Sequence, residues 1–357
     1  MRWVALGCVL GGCSFSIPAS STGSPDAVAV DGTTADTQGA CFGSFVRVCP
    51  GSVPNAPITL TGPIDTVGSP LCDPTITIAC VVAGTSIALP IGVVVTATGA
   101  RPLVLLATAG TITLDGLLSV ASVRPDMMGA GAAKGPCLRG TDPTENGGGQ
   151  GGSFGAQGGA GGIGTLGTPG TAGAIEPLLT LRGGCPGAAG GGVAPGAGGL
   201  GGGVVDLIAS SIAVTGTIDA SGTGGNAATF TPNGAGGGGG GSGGTIVFDT
   251  PDLSIVFTAL VFANGGGGGE ASSSSNNGVA GFDPTSTAAA FGGALGTNSG
   301  DGGNGSSGGV GAVGGGELCT ATTCGGGGGG GGTGIIKTTD PSPPATSSLT
   351  MSPNFAP

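Results

Sequence analysis

The stretch "ITLTGPIDT" at residues 58–66 decides the fold, because it returns as "IAVTGTIDA" at residues 212–220. In both copies apolar residues alternate with polar or small ones, a glycine stands fifth, and Ile-Asp comes near the end. Alternation with period two is typical of strands that bury one face. A phrase that returns unchanged in length predicts stacked rungs of one repeating structure.

Three further segments carry the same phrase and set its period. Residues 112–120 ("ITLDGLLSV") align without a gap, whereas residues 87–99 and 253–265 align after a two-residue insertion. This alignment sets Val95 against Ile64. Uninterrupted rungs begin about 25–29 residues apart, as in solenoid repeats. Apolar pairs two residues apart also precede the later rungs, at Leu103 and Leu105, Val205 and Leu207, and Ile246 and Phe248.

This period predicts the fold class. It suits a three-strand coil that stacks on its neighbours and buries their inward side chains. The phrases are rich in Val, Ile and Thr, which favour strands, and no segment has a helical hydrophobic period. We therefore expect an all-β fold, a parallel β-helix-like solenoid of short strands with long glycine-rich insertion loops on one edge. A β-sandwich also alternates, but it does not explain a phrase that returns in register.

Glycine-rich insertions divide the rungs. Each insertion follows the second strand of a phrase and ends before a new β segment, so all should lie on one edge. Glycine-serine tracts are commonly flexible coil, yet glycine also lets polyproline-II-like helices pack closely, and the sequence leaves both open. The expected divisions are rungs at 41–122 and 203–265, insertions at 123–202, 222–243 and 266–332, and a final strand with a Pro/Ser-rich tail at 333–357.

The N-terminus has the layout of an export signal. Arg2 precedes a short apolar run, and "LGGC" at residues 10–13 resembles a bacterial lipoprotein box. We expect residues 1–12 to be a lipoprotein signal peptide and Cys13 to be the lipidation site that anchors the chain to a membrane. The alternative is a secretory signal cut near Ala19. Residues 13–40 read as a Ser/Thr/Gly-rich flexible tether.

Eight cysteines follow the tether, and an even number in an exported chain indicates disulfides. Local pairing would join neighbours in sequence, although eight cysteines allow about 105 connectivities. Four thiolates could also bind zinc, but the chain has no His and no CxxC spacing. The disulfide candidates are Cys41 with Cys49, Cys72 with Cys80, Cys137 with Cys185, and Cys319 with Cys324.

Composition excludes several functions. The 357 residues include 87 Gly and 25 Pro but only eight Lys and Arg, no His and no Tyr, and the net charge is −11. An acidic chain with scattered cations is a poor partner for nucleic acid, whose phosphates need clustered Lys and Arg. Without His, Ser-His and Cys-His nucleophiles are absent, and no phosphate-loop motif occurs. We expect no cofactor and no metal site.

Carboxylates supply the remaining route to catalysis. Many β-helix proteins cleave polysaccharides with acids and a basic residue, so this chain could be a polysaccharide-active lyase or hydrolase. The simpler interpretation is that the aspartates cap turns. We expect the chain not to be an enzyme. The residues that would carry the alternative are Asp65, Asp206, Asp219 and Asp249, with Arg101, Arg124 and Arg182 as basic partners.

Several phrases together support a family resemblance. "RPLVLLATAGTITLDG", "LRGGCPG", "IAVTGTIDASG", "GGGGGGSGGTIV" and "FANGGGGGE" resemble uncharacterised glycine-rich lipoproteins of myxobacterial type. The family supplies no activity to carry over.

The expectations about function are correspondingly general. The chain should be a non-enzymatic envelope or surface protein, at the outer membrane facing periplasm or surface, or else secreted. Its glycine-rich loops would serve adhesion, matrix or structure, with polysaccharide or other envelope components as partners. Binding of ice or a polymer by a flat surface would need regular Thr or apolar spacing, and none is evident in the sequence.

Overall fold

The computed structural model describes residues 40–132, 136–295, 298–316, 323–346 and 349–356. The signal peptide, the tether up to residue 39, Cys13 and Cys319 lie outside the described residues. Within them there is no α-helix, and sixteen strands form three parallel sheets. The predicted fold class, an all-β parallel β-helix-like solenoid, is confirmed.

The three sheets run along the solenoid, and a complete coil adds one strand to each. Sheet I contains β1 (Ile58–Thr59), β4 (Ile87–Leu89), β7 (Thr111–Leu114), β10 (Ser211–Val214) and β13 (Leu253–Ile255). Sheet II contains β2 (Ile64–Asp65), β5 (Val94–Thr98), β8 (Leu117–Ser119), β11 (Thr217–Asp219), β14 (Leu260–Phe262) and β16 (Thr350–Ser352). Sheet III contains β3 (Cys80–Gly84), β6 (Leu103–Ala107), β9 (Val204–Ile208), β12 (Thr245–Asp249) and β15 (Ile335–Thr338).

The register of sheet I is the one that the repeated phrase predicts. Each phrase begins at one column of paired residues, Ile58, Ile87, Ile112, Ile212 and Leu253. The pairs that precede the later rungs also align in sheet III. Identical spacing along each strand keeps these side chains directed inward, where they stack on one another.

One predicted pairing is wrong by two residues. The sequence alignment set Ile64 against Val95, whereas the structure pairs Ile64 with Ala97 and Asp65 with Thr98. An offset of two keeps the same side chains facing the core, so hydrophobic alternation does not distinguish the two registers.

The solenoid core consists of these inward side chains. Ile112, Leu114 and Leu118 are fully buried, as are Leu103 and Leu105 from sheet III. The sequence prediction missed β3, which places Cys80 opposite Leu103 and extends sheet III to an earlier coil. Burying each large aliphatic side chain contributes about 1.5–3 kcal/mol to the stability of the folded state. Because the inward side chains stack from coil to coil, this contribution is repeated along the solenoid.

A short hairpin covers the outer face of sheet III. Phe42 and Val48 exchange backbone hydrogen bonds at 2.8 and 2.9 Å, and the Cys41–Cys49 disulfide closes the loop. Val48 packs in a second apolar cluster with Val104 and Ile208, which point outward from the sheet. The outer face of sheet III is therefore buried rather than open to solvent.

All three insertions leave the solenoid at one corner. They follow β8, β11 and β14 of sheet II and return into β9, β12 and β15 of sheet III. The predicted common edge agrees with this connectivity. The C-terminal segment, expected to hold one final strand, contributes two, because β16 pairs with β14 after β15 has joined sheet III.

Candidate functional site

The insertions form a bundle of extended helices held together by backbone hydrogen bonds. We call the described residues of 136–203, 220–244 and 263–334 the glycine bundle. At its centre, every backbone N–H of residues 236–244 donates to another segment, at 2.7–3.0 Å. The acceptor segment changes with each residue and returns every third residue. The N–H groups of 236, 239 and 242 donate to segment 185–191, and those of 237, 240 and 243 donate to segment 326–332. The remaining three, at 238, 241 and 244, donate to segment 220–226.

A donor direction that repeats every third residue identifies the helix type. Polyproline II has three residues per turn and no internal hydrogen bonds, so its N–H and C=O groups point outward in three directions. The carbonyls of segment 236–244 accept hydrogen bonds from three further segments, 149–152, 196–202 and 266–269. This helix therefore has six hydrogen-bonded neighbours.

A second helix, residues 325–334, is surrounded in the same way. Its N–H groups donate to segments 263–272, 146–152 and 313–316, and its carbonyls accept from segments 159–162, 237–243 and 300–306. Nearly all buried backbone groups must be paired in a stable protein, and a three-directional network meets that requirement without sheets or α-helices. The described residues of the glycine insertions are thus ordered and hydrogen-bonded, which the sequence had left open.

Glycine is required at nearly every position of these two helices because the backbones there approach too closely for a Cβ atom. A Cβ on Gly239 would lie 2.0 Å from the carbonyl oxygen of Gln150, and one on Gly328 would lie 1.9 Å from that of Gly238. Both distances fall far inside van der Waals contact. The long glycine runs are therefore a packing requirement and not a sign of flexible coil.

Polar side chains fill the places where the helices turn. The Asn146 amide donates to the carbonyls of Asn233 and Cys324 at 2.8 and 2.9 Å and accepts from the Leu166 N–H. Glu270 accepts hydrogen bonds from the backbone N–H groups of Val279 and Leu295, and burial raises its pKa. These side chains replace backbone partners that the turns remove.

One exposed face of the bundle carries regularly spaced threonines, contrary to the expectation from sequence. In segment 165–171 a threonine occupies every third position, which is one turn of polyproline II, or about 9 Å. The Thr144 and Thr168 hydroxyls lie 2.9 Å apart, as do those of Thr141 and Thr171. The sequence prediction missed this spacing because it sought alternation with period two. We call the five exposed residues Thr141, Thr144, Thr165, Thr168 and Thr171 the hydroxyl face.

Two of the candidate catalytic aspartates, Asp65 and Asp219, lie at separate structural positions. Asp65 accepts the Val67 N–H at 2.9 Å, and Asp219 accepts the Ser221 N–H at 2.9 Å, as turn caps do. Burial raises the pKa of Asp219 to about 6. The two occupy sheet II three coils apart along the stack, with β5 and β8 between their strands.

Asp206 and Asp249 are neighbours, but the hairpin covers them. Asp249 accepts hydrogen bonds from the Ser44 hydroxyl at 2.5 Å and the Phe45 N–H at 3.0 Å. Asp206 has no solvent exposure, and neither of its carboxyl oxygens has a hydrogen-bond partner. Burial, together with the nearby Asp249 charge, raises its pKa well above the usual range. Asp206 therefore has no surface that a polysaccharide could contact.

The candidate basic residues are engaged in structural contacts. Arg101 donates to the carbonyls of Val67 and Ile76 at 2.9 and 3.4 Å. Arg124 forms an ion pair with Asp283 at 3.0 Å. The third, Arg182, contacts Glu176 and a disulfide. Across the described ranges, no group of three or more Cys, Asp or Glu residues is arranged to hold a metal ion.

Three disulfides join Cys41 to Cys49, Cys72 to Cys80 and Cys137 to Cys185, which is the local pairing. Cys324 is also disulfide-bonded, while Cys319 lies outside the described residues. Disulfides form and persist in oxidising compartments, so they indicate an extracytoplasmic chain.

No helix suited to crossing a bilayer occurs in the parts of the chain that the structure describes. No family model, curated protein or solved structure matches the chain.

Proposed function

We propose that this is an exported, lipid-anchored, non-enzymatic protein of the bacterial cell envelope, with a structural or adhesive role. The observation that carries the proposal is the glycine bundle, in which two central helices each have six hydrogen-bonded neighbours. A surface fixed in this way loses little conformational entropy on binding. Rigid frames that present residues at one end commonly serve recognition, and the solenoid is such a frame.

The chemistry of the hydroxyl face favours a neutral, hydroxyl-rich partner. Threonine offers a hydroxyl that donates and accepts beside a methyl group, which matches the alternating polar and apolar surface of a polysaccharide. The net charge of −11 opposes polyanions. We therefore take an envelope polysaccharide as the partner class, bound at Thr144, Thr168 and their neighbours.

The anchor in this proposal is a lipid on Cys13. The "LGGC" box and the resemblance to glycine-rich lipoproteins support it, and the disulfides agree with export. The protein would then reside at the outer membrane, facing periplasm or surface. Labelling cells with a fatty acid probe tests this point, because Cys13→Ala should abolish labelling and release the chain from membranes.

Co-sedimentation with insoluble polysaccharides and purified cell-wall material tests the partner class. The variant Thr144→Lys with Thr168→Lys places two long cations on the hydroxyl face and should weaken binding by about tenfold or more. Thr61→Lys with Thr258→Lys, which alters exposed solenoid threonines, should bind as the wild type does. Equal binding by both double variants would refute the assignment of the face, and release of reducing sugar would point instead to an enzyme.

A further inference from the structure

The guanidinium of Arg182 lies beside the Cys137–Cys185 disulfide, which crosslinks the first insertion. The Arg182 Nη2 atom is 3.2 Å from the Cys137 sulfur and 3.3 Å from the Cys185 sulfur. The Cys72 sulfur, by contrast, faces the carbonyl oxygens of Asp65 and Thr66 at 4.0 and 3.9 Å. Two bridges in one molecule thus have opposite electrostatic surroundings.

Arg182 is held in place by several contacts. Its guanidinium carbon lies 5.1 Å from the centre of the Phe154 ring, and Nη1 is 3.8 Å from a Glu176 carboxylate oxygen. The Arg182 carbonyl accepts the Thr245 hydroxyl at 2.8 Å. Arg182 is 5% exposed, and burial lowers its pKa, but a guanidinium stays charged at physiological pH. A fixed positive charge therefore faces both sulfurs.

Access to the two sulfurs is unequal. Cys137 is partly exposed, whereas Cys185 is 2% exposed and hydrogen-bonded through its backbone to Ser242. A cavity of about 270 Å³ opens beside Cys137, with Arg139 and Pro186 in its lining. A small thiol can approach Cys137 but not Cys185.

We infer that Cys137–Cys185 is a thiol-exchange site that forms a mixed disulfide at Cys137 with a low-molecular-weight thiol. The incoming thiolate forms a bond to the Cys137 sulfur, the Cys137–Cys185 bond breaks, and the electron pair remains on Cys185 as a thiolate. No net oxidation occurs in this step. A nearby cation lowers a thiol pKa, and a thiol of lower pKa leaves faster, so Arg182 promotes the exchange as a positioned charge.

A second equivalent of the thiol completes the cycle. Its thiolate attacks the mixed disulfide, the two small thiols leave joined as their own disulfide, and Cys137 is released as a thiolate. Two thiols are oxidised and one protein disulfide is reduced. Exchange in the reverse direction, with a low-molecular-weight disulfide as the oxidant, restores the bridge and releases two small thiols.

The test is thiol exchange on the full chain, with glutathione as the probe, followed by trapping of free thiols and peptide mass spectrometry. We expect the glutathione adduct on Cys137 and not on Cys185. Arg182→Gln should slow adduct formation by about tenfold, while Arg182→Lys should retain most of the rate. Cys41–Cys49, whose two cysteines are both exposed, serves as the internal reference in each variant.

Glu176→Gln keeps the test informative if Arg182→Gln does not fold. Glu176 competes with the sulfurs for the guanidinium, so removing its charge should speed exchange at Cys137, and glutamine can still accept the Leu138 N–H. Exchange at Cys137 no faster than at Cys72–Cys80, an adduct on Cys185, or rates independent of both residue 176 and residue 182 would each overturn the proposal.

Discussion

The solenoid and the glycine bundle solve the same packing problem in opposite ways. In the solenoid, backbone groups pair in two directions within sheets, and side chains such as Ile112 and Leu118 fill the core. In the bundle, backbone groups pair in three directions around helices such as residues 236–244, where all positions but Ser242 are glycine. The first region depends on the size of its side chains and the second on their absence. The two should therefore respond differently to the same kind of mutation.

The largest effect is expected where a side chain enters the bundle. Gly239→Val would bring a branched side chain against the Gln150 carbonyl. Even its Cβ atom would lie only 2.0 Å from the carbonyl oxygen. We expect a loss of about 4 kcal/mol or more in the free energy of unfolding, because the helices must separate. Amide hydrogen exchange should show protection in residues 236–244 of the wild type and its loss in the variant.

Gly309→Ala is the matched control for this prediction. A Cβ at Gly309 would meet no atom within 4 Å. The control should change the free energy of unfolding by no more than about 0.5 kcal/mol. Fast exchange across residues 236–244 in the wild-type protein would contradict the packed bundle itself.

A smaller effect is expected from a cavity in the solenoid. Leu118→Ala removes a fully buried side chain and should cost about 3 kcal/mol, measured by chemical denaturation. Ile91→Ala, at a position 85% exposed, should be nearly neutral. If Leu118→Ala were as damaging to exchange protection in residues 236–244 as Gly239→Val, the contrast between the regions would be lost.

The smallest effect should depend on pH and arises beneath the hairpin. Asp206 has a raised pKa in the folded protein, whereas in the unfolded chain it ionises near pH 4. The unfolded state therefore binds fewer protons above that pH, and stability falls as pH rises from about 4 towards the folded pKa. Asp206→Asn should remove this dependence and raise the free energy of unfolding at pH 8, with little change at pH 4.

Urea unfolding at the two pH values measures the effect. Asp142→Asn, at an exposed position, is the control and should leave the pH dependence as it is in the wild type. If the free energy of unfolding depended on pH equally in Asp206→Asn and in the wild type, burial of the Asp206 carboxylate would not be the cause of that dependence.

The sequence predicts the solenoid well because its information lies in side chains. Alternation specifies which residues point inward, and this is enough for the columns that begin at Ile58 and at Leu103. It does not distinguish registers that differ by two, so the pairing of Ile64 was wrong. Strand β3 was missed because its inward pair is Cys80 and Val82, and Cys80 was considered only as a disulfide candidate.

The glycine bundle could not be predicted because its partners are chosen by backbone position alone. In a run such as residues 325–332, each glycine is chemically identical to the next, so no residue type indicates which segment it pairs with. The hydroxyl face becomes visible in "TLGTPGT" only when the three-residue period is known. Arg182 was considered as a basic partner for catalysis, and its contact with two sulfurs had no signal beyond its closeness to Cys185 in sequence.

The single corner through which every insertion leaves and returns has an evolutionary consequence. An insertion that starts and ends at the same corner must contain one helix that leads away from the solenoid for each helix that leads back. Residues 220–229 and 234–244 form such a pair and run antiparallel. New helices can therefore be added in pairs at any coil while the rungs on either side keep their register. The gene could lengthen by duplication of glycine codons, and natural selection could enlarge the bundle without redesigning the scaffold that holds it.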